Sequence, residues 1–271
     1  MTESASPAFP ALVAFDLDDT LAPSKSPLPR PMARALSELL AVRPVGIISG
    51  GRFQQFISQV LERMPADAPL GNLHLMPTCG TRYERFTGEG WHEAYAHDLD
   101  AAERDQAIAS LEARAKQLHL WEPDDIVTGP RVEDRGSQIT YSALGQNAAV
   151  DAKKAWDPDG SKREALRAAV ATDLPDLEVR AGGSTSIDIT RKGIDKAYGM
   201  RALSEQTGIA LHDMLFIGDR LQPGGNDHPV LTLGVPCHAV TGPDDTLEYL
   251  HRLIPSLRAG KPADLELLPS A

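Results

Sequence analysis

The chain is poor in cysteine, in positive charge and in long apolar runs, and each shortage removes a class of protein. Cys79 and Cys237 are the only cysteines in 271 residues, far apart and without Cys or His partners at zinc spacing. Neither a disulfide framework nor a structural zinc site is therefore expected, and both thiols read as small core or near-core residues. Lys and Arg number 27 against 38 Asp and Glu, a formal charge of −11. That balance opposes broad binding to nucleic acid or an anionic membrane, so any phosphate site must be local. No apolar stretch nears the ~20 residues that span a bilayer. The opening Met-Thr-Glu-Ser-Ala-Ser-Pro lacks the basic start and apolar run of a signal peptide. A cytoplasmic protein is the expectation. The eight histidines form neither H-E-x-x-H nor H-x-x-E-H, and there is no internal repeat.

What is present is chemical and local. Leu12-Val13-Ala14-Phe15 is a continuous apolar run, and Asp16-Leu17-Asp18-Asp19-Thr20 follows it directly. Such a run suits a strand of a parallel sheet buried on both faces, whose C-terminal end is where open α/β sheets bind ligands. Two carboxylates at i, i+2 repel unless a cation joins them, and Mg²⁺, a hard ion that prefers oxygen, is the natural candidate. A strand end with solvated turn aspartates is the alternative for this segment taken alone.

Helical spacing through Met32, Leu36, Leu39 and Leu40 precedes a second apolar strand, Val45–Ile48, and Arg52–Met64 reads as another helix. This alternation predicts α/β architecture with a doubly wound parallel sheet. From about Tyr83 the pattern changes. Trp91–Tyr95, Ser137–Ser142, Leu177–Arg180 and Thr185–Thr190 read as strands, and Ala101–Leu118 and 162–171 as helices, an inserted mixed α+β unit. Helical spacing resumes over 195–207, and Met214–Ile217 is a third apolar strand, ending in Gly218-Asp219. The expected division is a discontinuous core of 11–83 and 190–258, an insertion of 84–189, and tails at 1–10 and 259–271.

Three further motifs stand at element ends. Ser49-Gly50-Gly51 follows the second strand, where a hydroxyl and glycine N–H groups could approach a phosphoryl oxygen; a helix cap or turn is the alternative. Lys192 and Lys196 open the helix after the insertion, and either could set a positive charge against phosphate. Gly218-Asp219 and Asn226-Asp227 are separated by Pro223-Gly224-Gly225, a loop able to turn the second pair back toward the first. Asp219 is the candidate metal ligand, Asp227 a ligand or its support, and Asn226 an orienting group.

At these residues the chain resembles the haloacid dehalogenase superfamily, in its type IIB branch, and most of all the eukaryotic-type phosphomannomutases. Asp16–Thr20 matches the nucleophile motif, Ser49 the second motif, Lys196 the third, and Gly218-Asp219 with Asn226-Asp227 the fourth. Gly193-Ile194-Asp195-Lys196 and Gly182-Gly183-x-x-Ser186-x-Asp188 match family segments as well. The resemblance implies a Rossmann-like core with an inserted C2B-type cap, and a dimer through that cap. It implies Asp16 as nucleophile, Asp18 as acid/base, and Ser49, the Gly50 backbone and Lys196 on the phosphoryl oxygens. Mg²⁺ would be held by Asp16, the Asp18 carbonyl and Asp219.

Hydrolase and mutase share that machinery. A mutase also needs a second phosphate site in the cap, where arginine is suited. Arg135 matches a family arginine, but Gln146 stands where another is expected, Ser24-Lys25 replaces a third, and Asp19 replaces a glycine. Arg131 is the candidate substitute. Ser186 and Asp188 match positions that contact sugar hydroxyls, and Trp91, Trp121 and Trp156 read as cap packing. The expectation is a phosphohydrolase of a small sugar phosphate or related metabolite, with a hexose-phosphate mutase as the alternative and a noncatalytic binding protein as the third.

Overall fold

The computed structural model describes residues 9–260. Of the expected tails at 1–10 and 259–271, residues 1–8 and 261–271 lie outside the described residues, and the last helix reaches Ala259. The described residues form two compact units, one made of 9–96 and 195–260, the other of His97–Ile194.

In the first unit β1 (Leu12–Phe15), α1 (Arg30–Leu40), β2 (Val45–Ile48), α2 (Phe53–Gln59), β3 (Leu73–Met76), β4 (Arg82–Phe86) and β5 (Trp91–Ala96) precede the insertion. The second unit holds α3 (Ala101–Gln117), β6 (Val132–Asp134), β7 (Gln138–Ser142), α4 (Val150–Trp156), α5 (Ser161–Asp173), β8 (Leu177–Ala181) and β9 (Ser186–Arg191). The first unit resumes with α6 (Lys196–Thr207), β10 (Met214–Gly218), α7 (His228–Thr232), β11 (Cys237–Ala239) and α8 (Pro243–Ala259).

The seven-stranded sheet has the order β11-β10-β1-β2-β3-β4-β5. The strands from β11 to β3 run parallel, and β4 and β5 run antiparallel at one edge. Strands β1, β2 and β3 are laid down in one direction, whereas β10 returns to the other side of β1. That makes β1 the point where strand order reverses, the place where open α/β sheets bind ligands. Every residue of β1 and β2 is buried, because helices cover both faces. On one face the apolar stripe of α1 (Met32, Leu36, Leu39, Leu40) packs with Leu250, Leu253 and Ile254 of α8. Each such leucine contributes about 1.5–3 kcal/mol by burial. On the other face Met200 and Leu203 of α6 join Ala14, Ile48 and Phe216.

The second unit is a four-stranded antiparallel sheet, β6-β7-β9-β8, with Ile139, Tyr141, Ile187 and Ile189 facing Leu111 of α3 and Leu166 and Val170 of α5. The fold class expected from the sequence is the one found.

Several boundaries differ. The expected insertion at 84–189 becomes 97–194, because β4 and β5 pair back onto β3 and extend the first sheet. Trp91 accordingly packs on Phe53 and Phe86 of the first unit, not in the insertion. The helix expected over Arg52–Met64 ends at Gln59 and continues as a 3₁₀ turn, Leu61–Arg63. β7 is buried throughout.

Candidate active site

Asp16, Ser49 and Asp219 each follow one of three adjacent parallel strands, β1, β2 and β10, so their side chains emerge at one end of the sheet. Register fixes this: Phe15 lies beside both Ile47 and Ile217, and the Asp16 N–H donates to the Ile217 carbonyl at 3.0 Å.

Asp195 caps α6 by accepting from the Tyr198 N–H at 2.9 Å, which places Lys196 in the first turn. The helix can lie this close to the sheet because Gly199 has no side chain; a Cβ there would stand 2.9 Å from the Cys79 carbonyl and 3.0 Å from Ile48. Lys196 is 2% exposed, and its Nζ lies 2.6 Å from Asp16 Oδ1 and 2.6 Å from Asp227 Oδ1. Lys192 is exposed. Of the two candidate lysines, position 196 enters the cluster.

The loop after β10 folds back on itself. The Arg220 N–H donates to Asp227 Oδ2 at 3.0 Å and the Asp227 N–H to the Arg220 carbonyl at 3.2 Å. Asp227 becomes fully buried, tucked where a Cβ on Gly218 would lie 2.5 Å from its Oδ2. Asn226, the neighbouring candidate, is exposed in the loop. Thr20 Oγ1 donates to Asp219 Oδ1 at 3.4 Å.

Asp16, Asp219 and Asp227 offer carboxylate oxygens within 4.8 Å of one another. Three carboxylates against one ammonium leave an excess of negative charge in a buried place. Burial pushes the Asp16 carboxyl up to about 8, with Lys196 opposing and Asp227 adding to the rise. Asp219 is raised too, by burial first and by Asp227. Burial works to lower the Lys196 ammonium, yet the attraction of Asp16 and Asp227 outweighs it and holds the group above the usual lysine range. An all-oxygen set with surplus negative charge fits a hard divalent cation. Both Asp227 oxygens are taken up within the protein, whereas Asp16 is engaged by Lys196 and Asp219 by Thr20 at Oδ1, so these two are the better placed to hold one.

The Asp18 side chain is engaged elsewhere, by the Lys25 N–H at 2.6 Å and by the amides of Gln55 at 3.0 Å and Gln59 at 3.4 Å. Ser49 is buried, and its Oγ accepts from the Gly51 N–H at 3.1 Å, which shapes the turn around Gly50. Sequence reasoning missed Thr20, Gln55 and Gln59. Thr20 stands in the first motif and could have been assigned, whereas the two glutamines carry no local signal.

In the second unit the four candidate substrate contacts fare differently. Arg131 is 8% exposed; it donates to the Glu122 carbonyl at 2.6 Å and to Asp124 at 2.7 Å, and lies 4.3 Å over the Trp121 ring. Arg135 pairs with Glu133 at 2.7 Å. Asp188 and Ser186 share one face of β9, and Asp188 Oδ1 accepts from Thr140 at 2.7 Å and Gln138 at 2.9 Å. Asp188 and Ser186 therefore lie together on a polar sheet face, while both arginines are bound to carboxylates of their own unit.

The chain is similar to known proteins in sequence and in fold. The family described as eukaryotic phosphomannomutase matches residues 125–256. Phosphomannomutase of Spinacia oleracea is 26% identical over 260 residues, spanning 89% of this chain and 95% of that one. Phosphomannomutase of Saccharomyces cerevisiae is 24% identical, spanning 89% and 93%. Among solved structures, a haloacid dehalogenase-like hydrolase from Bacteroides thetaiotaomicron superposes with a TM-score of 0.59 at 15% identity, over 89% of this chain and 98% of that one. ATP-bound IMP-nucleotidase of Plasmodium falciparum gives 0.70 at 16% identity, over 93% and 62%. The chain is thus similar to phosphomannomutases in sequence and shares its fold with a haloacid dehalogenase-like hydrolase.

Proposed function

We propose that the chain is a Mg²⁺-dependent phosphohydrolase of a small sugar phosphate or related metabolite, working through an aspartyl phosphate on Asp16 in the cytoplasm. One observation carries the choice of hydrolysis: Arg131 and Arg135, the arginines a second phosphate would need, are each bound to a carboxylate of their own unit.

The residues suit two successive displacements. Asp16 attacks phosphorus, forming an Asp16–phosphorus oxygen bond while the ester P–O bond breaks, and the Asp18 carboxyl gives its proton to the departing oxygen. Water then attacks the same phosphorus and passes its proton to Asp18, and the bond to Asp16 breaks to release phosphate. Lys196 holds Asp16 in place, and Ser49 with the Gly50 backbone faces the transferring oxygens. Mg²⁺ on Asp16, Asp219 and the Asp18 carbonyl would neutralise charge that builds on those oxygens. Burial is what raises Asp16, and the ion would offset the part that the neighbouring Asp227 charge adds. On the second unit, Ser186 and Asp188 offer hydroxyl and carboxylate groups suited to sugar hydroxyls.

A hexose-phosphate mutase is the second reading, favoured by the likeness to phosphomannomutases along most of the chain. The test incubates the protein and its Asp16→Asn variant with Mg²⁺ and sugar monophosphates, including mannose 1-phosphate and mannose 6-phosphate, with and without a hexose 1,6-bisphosphate. Phosphate release that disappears in the variant supports hydrolysis. Activator-dependent interconversion with little release overturns it in favour of the mutase. Light scattering tests the homodimer that the resemblance implies.

A further inference from the structure

We propose that Gln55, backed by Gln59, is the positioning residue that aims the Asp18 carboxyl for both of its proton transfers; the inference rests on the phosphohydrolase reading. The two glutamines are four residues apart on α2, so their amides share one face of the helix. Gln55 spends both amide hydrogens, on Asp18 Oδ2 at 3.0 Å and on Gln59 Oε1 at 2.7 Å. Gln59 is 3% exposed, and its own amide donates to the Ser26 carbonyl at 2.9 Å, with a longer contact to Asp18 Oδ1 at 3.4 Å. The chain of bonds therefore runs from the 24–26 loop through two side chains to the carboxylate, and the Lys25 N–H closes it from the same loop at 2.6 Å. A neutral amide fixes the carboxyl's direction without adding charge to the site.

A second observation concerns Gly51. A Cβ there would stand 2.0 Å from Gln55 Oε1 and 2.6 Å from its Cδ. The glutamine amide occupies the space that any side chain at 51 would fill. Alanine at this position would push the flexible end of Gln55 aside and release Asp18 while leaving the Asp16–Lys196–Asp227 cluster untouched.

The test compares the parent, Gln55→Leu, Gly51→Ala and the double variant on two probes with Mg²⁺. Mannose 6-phosphate has a sugar alkoxide that needs a proton to leave, whereas p-nitrophenyl phosphate expels a phenolate that does not. On mannose 6-phosphate each single variant should lose about 10- to 100-fold in kcat with KM little changed. On p-nitrophenyl phosphate the first turnover should keep its parental rate. A slow phase should follow and phosphorylated protein should accumulate, since only the water step still calls on Asp18. The double variant should be no worse than either single one, because both substitutions remove the same contact. The p-nitrophenyl phosphate arm stands alone where mannose 6-phosphate is not turned over. Normal turnover in the variants, a first turnover slowed as much as the second, or additive losses would each overturn the clamp while leaving the hydrolase intact. A parent protein that forms no aspartyl phosphate on either probe overturns the hydrolase reading, and the clamp with it.

Discussion

Asp227 grips Lys196 as closely as the candidate nucleophile does: Oδ1 stands 2.6 Å from Nζ, and the carboxylate is fully buried. Its other oxygen is held by the Arg220 N–H, so Asp227 ties the loop after β10 to the first turn of α6. Removing one partner of a buried pair is costly because it strands the other's charge. Asp227→Asn should lower stability by about 3 kcal/mol, the low end for such a loss because Asp16 still faces the ammonium. Urea unfolding measures it, and an unchanged midpoint would show that the pair is not holding the fold.

The surplus of carboxylate at the same place bears on metal binding. Adding Mg²⁺ should raise the melting temperature, with a gain of about 2.7 kcal/mol at a hundredfold excess over Kd. Asp219→Asn removes one of the two candidate ligand carboxylates and should shift the response to much higher Mg²⁺, as thermal melts across a titration would register. An equal response in the parent and the variant would place the ion elsewhere.

The core cluster was legible because its signals are local. An apolar run that ends in a carboxylate specifies both a buried strand and its ligand-binding end, and this happens twice, at Phe15-Asp16 and Ile217-Gly218-Asp219. The edge of the sheet was not legible. β5 has no fully buried residue and reads like a strand of any half-exposed sheet, so only its pairing with β4 assigns it to the first unit. Gln55 and Gln59 look like the solvent face of a helix until the fold lays Asp18 against them. The fate of Arg135 was partly readable: Glu133 stands two residues before it, the spacing that shares one side of a strand. No such spacing links Arg131 to the Trp121 face it covers.

Arg131 therefore tests whether the arginine offered as a substitute phosphate contact is structural instead. Its guanidinium joins Glu122, Asp124 and the Trp121 ring. Arg131→Met should cost about 1–3 kcal/mol through the lost hydrogen bonds and cation–π contact. KM for a phosphate monoester should stay where it is. Urea unfolding followed by tryptophan fluorescence, alongside steady-state kinetics, separates the two effects. A large rise in KM with unchanged stability would return Arg131 to the substrate.

Glu84 offers a pH test remote from the carboxylate cluster. It lies on β4 opposite Glu93, is 5% exposed, and burial together with Glu93 pushes its carboxyl from 4.5 up to about 7, Arg82 pulling the other way. Arg82 is itself paired with Glu93, which limits its help. Below pH 4.5 the group is protonated in both the folded and unfolded chain and contributes nothing to the pH slope. As pH rises toward 7 the unfolded chain gives up the proton first, so the unfolded state gains and stability falls through that window. Above it the carboxylate is charged in both states and the full cost remains. Glu84→Gln removes the titration and keeps the shape. It should stabilise the protein by about 1–2 kcal/mol near pH 8, discounted for residual solvent screening, and by much less near pH 5. Paired melts at the two pH values decide it, and a gain larger at pH 5 than at pH 8 would mean that the Glu84 carboxylate is favoured by its surroundings.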